Sequence, residues 1–295
     1  MGEISALIAA FLWATSSIYF SISGKVFGPS LLNRIRLSFA FIFLIVTHTI
    51  FYKTPIPINA PYQQWGWLAL SAIIGLVIGD FFLFKSFVMV GPRLGMLIMS
   101  TSPVVSALLA WIFLGESLSI SQIFGIGLAI GGIALVVTDN GSHQNVFTDQ
   151  RHKWIGLLFA FGGSIGQAVG LIFAKKGLPP EFPALSGVVI RIMVATIFVW
   201  LSALVTRQIK PGLKLISENP KAMKNAFFGA LMGPYIGVWL SLVAVQFAKV
   251  GIASTLMALT PIFHLPIGSI LKEKITKQAI IGTLIAIIGV AVILI

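Results

Sequence analysis

Cysteine is absent from the 295-residue chain. That absence excludes disulfide staples, thiolate metal sites and a thiol nucleophile. Charge is nearly as scarce: 9% of the residues are Asp, Glu, Lys or Arg, where a soluble domain carries about 25%. Only 8 residues are acidic, and the 4 histidines (His48, His143, His152 and His264) are scattered. An intramembrane lipid-modifying enzyme, the rival reading from another class, needs clustered acids, histidines or metal ligands near one interface, and the sequence offers no such set. Nucleotide-binding signals are missing too. "GIGLAIG" from Gly125 has suggestive glycines but lies inside an apolar run, without the strand, turn and helix that a dinucleotide loop requires. No cofactor, metal or direct ATP drive is expected.

What the chain has instead is apolar sequence: 57% of its residues are hydrophobic. They fall in runs of about twenty, the length that crosses a hydrocarbon core of about 30 Å. Ten candidate spans follow, at 4–23, 31–52, 64–84, 93–114, 119–138, 154–174, 184–206, 222–247, 251–271 and 276–295. Helices are the default because each pairs its own backbone in lipid. The first run starts at Ile4 with no basic segment before it and no A-x-A-like site in its length, so it reads as a span and not a signal peptide.

The net charge of +12 does not imply a nucleic-acid partner. The basic residues sit in short loops and at span ends, the positive-inside pattern, and fifteen of the 20 fall on one side. That side is assigned to the cytoplasm. The chain is then a multi-pass protein of the cell (inner or plasma) membrane with both termini facing outward.

A repeat is visible. "GESLSISQIFGIGLAIGG" places Gly125 and Gly132 after Glu116 at the intervals by which "KEKITKQAIIGTLIAIIG" places Gly282 and Gly289 after Glu273. Upstream, Arg36 in "RLSFAFIF" matches Arg191 in "RIMVATIF", "GLVIG" (Gly75, Gly79) matches "GALMG" (Gly229, Gly233), and Pro103 matches Pro261. The expected architecture is an all-α membrane fold of ten transmembrane helices in two five-helix repeats, 1–138 and 154–295, joined by a loop at 139–153. An odd number of spans per copy inverts the second copy, as in many secondary transporters.

With Trp13 in the first span, "SPVVSALLAWIFLGE" before "GIGLAIGGIALVV", and "TPIFHLPIGSILKEK" before "GTLIAIIGVAVILI", the chain resembles the EamA family of the drug/metabolite transporter superfamily. The resemblance implies a ten-helix carrier of small metabolites, often an exporter, with a central site walled by spans one, three, four, six, eight and nine. The expected function is alternating-access transport of amino acids or related solutes, export favoured, with a small-molecule substrate and the lipid bilayer as partners. A cationic-drug/proton antiporter is the alternative within transporters, weakened because no carboxylate lies clearly at mid-depth. Oligomeric state is not readable from the sequence.

Several residues stand out in the apolar runs. Asp80 and Lys85 interrupt "IIGLVIGDFFLFKSF", though a charge in hydrocarbon costs roughly 2.5–3.5 kcal/mol even on the lenient insertion scale. Lys85 reaches the membrane edge. Asp80 must meet a cation on another helix or line a wet cavity, and the pair is expected at the cytoplasmic mouth of the pathway. Arg36 and Arg191 either snorkel to headgroups or, pointing inward, form a pair able to hold a carboxylate or phosphate. Pro103 and Pro261 should break their helices, with Ser100, Thr101 and Thr260 beside them as satisfiers of freed backbone groups or as a polar notch. Trp13, Gln167, Tyr235, Trp239 and His264 complete the cavity candidates, each weighed against plain packing or hydrogen bonding. A coupling proton would use Asp80 or His264. His48 is expected at the interface, and Glu116 and Glu273 as caps.

Overall fold

A helix of 51 residues would run about 77 Å, more than twice the hydrocarbon thickness, so α1 (Gly2–Tyr52) cannot cross as one rod. It breaks at Gly28, whose φ of 67° and ψ of 165° suit only a residue without Cβ, and Pro29 opens the second segment. The break lies near the junction of two apolar stretches, Gly2–Phe20 and Ile22–Tyr52. The computed structural model describes residues 1–99, 101–138, 150–260, 262–263 and 276–294, and every regular element among them is helical.

After α1 come α2 (Tyr62–Ser71), a π-helical segment (Ala72–Gly79) and α3 (Asp80–Met99), then α4 (Ser102–Leu114) and α5 (Ile120–Thr138). The later part holds α6 (Gln150–Lys176), α7 (Ala184–Val205), α8 (Ile209–Glu218), α9 (Pro220–Ala230), a second π segment (Leu231–Gly237), α10 (Val238–Phe247), α11 (Val250–Met257) and α12 (Lys277–Leu294). Among the described residues, 6 helical stretches are long and apolar enough to cross a membrane, and shorter apolar helices lie at Ser102–Leu114, Ile120–Leu135 and Ile280–Ile293. The protein is a multi-pass helical membrane protein. Its outer surface is apolar, with Trp111, Phe113, Leu158, Phe198 and Ile287 exposed where lipid would lie.

The helices differ from the expected spans in four places. The gap expected between the third and fourth spans is helical, because α3 continues to Met99. The interruption comes next to Thr101, and Pro103 occupies the first turn of α4, where a missing N–H costs no hydrogen bond. The polar linker after α7 contains α8, with Lys210 and Lys214 exposed and Gly212 buried against Leu31. The ninth expected span, 251–271, is described only to residue 263, so Pro261 and the stretch from His264 to Glu273 lie outside the described residues, as does Ser100.

The fourth difference is the pair of π segments. "AIIGLVIG" ends at Gly79 and "LMGPYIG" ends at Gly237, 158 residues further along the chain. The same 158-residue interval separates Pro103 from Pro261.

Close approach of backbones holds the bundle together, because lipid supplies no hydrophobic drive between helices. A Cβ on Gly132 would fall 2.5 Å from the Gly282 carbonyl oxygen, and one on Gly289 would fall 2.7 Å from that of Gly125, so α5 and α12 meet backbone to backbone. Gly166 and Gly170 of α6 press in the same way on Gly79 and Gly75: a Cβ on either would fall 2.8 or 3.0 Å from the facing Cα atom. The first stretch of α1 meets the second π segment similarly: Ser16 lies against Gly233 and Trp13 against Gly237.

Candidate functional site

Asp80 is the first residue after the first π segment, so the segment's local widening sets where its carboxylate points. Its Oδ2 accepts a hydrogen bond from Arg36 Nη2 of α1 in a buried ion pair. Its Oδ1 accepts from Gln167 Nε2 of α6 at 3.0 Å. Arg36 also donates from Nε to Asn33 Oδ1 at 2.7 Å, one turn earlier on α1. Its guanidinium carbon lies 5.7 Å from the Phe20 ring centroid and 5.1 Å from that of Phe84, within cation–π range. Arg191 of α7 reaches the same region. Its Nη2 lies 3.5 Å from the point a Cβ on Gly75 would occupy, and it interacts electrostatically with Asp80.

Arg36, Asp80 and Arg191 are 5%, 6% and 3% exposed. Burying an ion costs several kcal/mol unless a partner offsets it, and for Arg36 and Asp80 the pair, Asn33 and Gln167 supply that offset. Arg191 is less well served, since its buried Nε has no hydrogen-bond partner among the described residues. Two cations and one anion leave the cluster with one net positive charge.

Of the expected site residues, the structure therefore brings Arg36, Asp80, Gln167 and Arg191 together. Lys85 does not join them. It is exposed, with its ammonium 4.7 Å from the Phe159 ring centroid and 5.7 Å from that of Phe81. Five helical positions separate it from Asp80 by about 140° around the axis. Arg36 and Arg191 point into the bundle and do not snorkel, because Asp80 gives them an anion closer than any headgroup. Thr101 Oγ1 donates to the Ile98 carbonyl at 2.7 Å and lies 3.0 Å from Ser164 Oγ on α6. Thr260 Oγ1 donates to the Met257 carbonyl at 2.8 Å. Trp13 packs beside Gly237, and the Tyr235 hydroxyl lies 2.6 Å from Thr47 Oγ1. Trp239 stands 6.4 Å from Tyr235, ring to ring, and lines an open cleft of about 320 Å³ with Tyr52, Glu181, Phe182 and Gln246.

Three features were not anticipated. Asn33 carries no signal beyond lying three residues before Arg36, a spacing that puts both on one helix face. His48 is buried near the end of α1: its Nε2 is 3.1 Å from Ser186 Oγ and its Nδ1 2.6 Å from the Thr54 carbonyl oxygen. At the same end of the bundle, Lys175 Nζ donates to the carbonyls of Val245, Gln246 and Ala248 at 2.7, 3.1 and 3.0 Å, capping the C-terminus of α10. Glu116 accepts from the Val250 backbone N–H at 2.7 Å and lies 3.8 Å from Lys175. It is a cap, but of α11 across the bundle and not of the helix that follows it.

The sequence model of the EamA-like transporter family matches residues 1–138 and 154–295. The chain belongs to the EamA-like transporter family. Among curated relatives, the uncharacterized transporter YvbV of Bacillus subtilis is 31% identical over 75 residues, 25% of this chain and 22% of that protein. The uncharacterized transporter sll0355 of Synechocystis is 31% identical over 127 residues, 43% of this chain and 37% of its own length. The WAT1-related protein At3g02690, chloroplastic, of Arabidopsis thaliana is 28% identical over 171 residues, 56% of this chain and 39% of its own. The chain thus spans less than two fifths of the length of these relatives. A solved crystal structure superposes with a TM-score of 0.78 over 99% of this EamA-like chain and 95% of its own, at 16% identity. That likeness establishes a shared fold.

Proposed function

We propose that this EamA-like protein is a secondary transporter of small organic solutes, amino acids or related metabolites, with export favoured. Its ten spans form two inverted five-helix halves that rock about a central site, in the cell membrane, with both termini outside. The observation that carries the site is the buried Arg36–Asp80–Gln167–Arg191 cluster, which draws two residues from each half. Ionisable groups at this depth are costly and mark substrate or ion pathways by default. The cluster also lies where α6 touches the first π segment through glycines, and π turns allow a helix to re-register locally. The paired π segments and the reciprocal glycine contacts of α5 with α12 support the two-half reading. The Trp239 cleft would serve as the outer vestibule. A proton bound at Asp80 remains compatible with coupling.

The test is a ligand-stabilisation screen of the purified protein with amino acids, nucleosides and sugar phosphates, followed by flux of the stabilising solute into proteoliposomes. Saturable flux supports the proposal. Flux that rises without saturation points to a channel, and no flux of any stabilising solute overturns the transporter reading.

A further inference from the structure

The charge left over in the buried cluster identifies a ligand class. We infer that Arg191 receives the carboxylate of a solute carrying one negative charge and no compensating cation. The inference rests on the transporter reading and narrows its substrate, taking the related metabolites that are carboxylates without an amine over the amino acids.

Three observations carry it. Arg191 is 3% exposed, yet its Nε has no hydrogen-bond partner among the described residues. A buried N–H left unmet is rare in folded proteins and calls for an explanation such as an absent ligand. Arg36 and Asp80 neutralise one another, and both Asp80 oxygens already accept hydrogen bonds, from Arg36 and from Gln167. The charge of Arg191 is therefore matched only in part, through its field on Asp80. Finally, the residue facing Arg191 is Gly75, where even an added Cβ would stay 3.5 Å from Nη2, so no side chain from that position crowds the guanidinium.

An anion of charge −1 brings the cluster to neutrality. A carboxylate does so and matches the planar fork of an arginine with two parallel hydrogen bonds. A phosphate dianion would overshoot and leave a buried negative charge. An amine gains nothing, because Asp80 is already engaged on both oxygens. A zwitterionic amino acid carries in a cation that the cluster has no free anion to meet.

The experiment uses the full chain in nanodiscs, followed by thermal unfolding and intrinsic tryptophan fluorescence. The probes are short-chain carboxylates from acetate to hexanoate, benzoate and 3-phenylpropionate, with 3-phenylpropionamide, 2-phenylethylamine, phenylalanine and inorganic phosphate as matched comparisons. At least one carboxylate is expected to bind about tenfold or more tightly than its amide, its amine and its amino acid. Arg191→Met should lose that preference by the same factor, and Arg191→Lys should keep part of it. A merely structural arginine would lower the unfolding temperature when replaced. A ligand-receiving one leaves the unfolding temperature of empty Arg191→Met unchanged or raised, since an ill-matched buried cation is gone. Should Arg191→Met not fold, the structural role is established and the inference fails. Equal binding of acid and amide, binding by phosphate or amino acids alone, or no binding by any carboxylate also overturns it. Saturable flux of an uncharged or cationic solute would leave the transporter reading standing while this inference falls.

Discussion

Arg36 and Asp80 form an ion pair sealed inside the helix bundle, with Asn33 accepting a further hydrogen bond from Arg36 and Gln167 donating one to Asp80. Removing one member strands the other. Arg36→Met or Asp80→Leu alone should destabilise the protein by about 3–5 kcal/mol, whereas the double substitution should recover much of the loss. Thermal unfolding of the two single variants and the double variant, set out as a double-mutant cycle, measures this coupling.

The glycine contacts predict a contrast between neighbours. A Cβ on Gly132 would press on the Gly282 carbonyl oxygen and the Ala286 nitrogen, both backbone atoms at 2.5 Å, while one on Gly131 would meet open space. Gly132→Ala should lower the unfolding temperature by forcing α5 and α12 apart. Gly131→Ala should leave it unchanged or raise it, since alanine favours a helix over glycine by about 1 kcal/mol.

Lys175 gathers three carbonyls at the end of α10. Lys175→Met should cost about 1–3 kcal/mol, because those carbonyls lose their charged donor. Glu116→Gln should cost less, since an amide oxygen still accepts from the Val250 N–H. Unfolding curves for the two variants test the ranking.

That the protein is a multi-pass helical membrane protein was legible in its long apolar runs. Arg36, Asp80, Gln167 and Arg191 each stood out as polar residues in apolar surroundings. A cation for Asp80 on another helix and an inward pairing of Arg36 with Arg191 were among the readings, but that these residues share one cluster was not readable, because contact between residues as distant as 36 and 191 is decided by tertiary packing. The π segments were invisible for a related reason: one extra residue per turn leaves no mark on hydrophobic periodicity when every residue around it is apolar. α8 was hidden because its Lys, Pro and Gly content reads as a linker, although its Gly212 packs against Leu31. Lys175 looked like an ordinary basic residue at a span end, and its role depends on where α10 stops.

The absence of cysteine allows single-cysteine labelling without background. Inverted halves place matching loops on opposite faces, so Ile58→Cys, after the second span, and Lys210→Cys, after the seventh, should react with a membrane-impermeant maleimide from opposite sides. Both positions are exposed. Labelling of both from one side would remove the inversion.

The central claim is that solute crosses this protein by way of the buried Arg36–Asp80–Gln167–Arg191 cluster. Its most direct test is counterflow in proteoliposomes of the solute giving the largest thermal shift, comparing the wild-type chain with Asp80→Asn at equal incorporation. The prediction is saturable counterflow in the wild type, lower by at least about tenfold in Asp80→Asn, where the Arg36 guanidinium is left without its anion. Equal counterflow by a folded Asp80→Asn protein would contradict the claim.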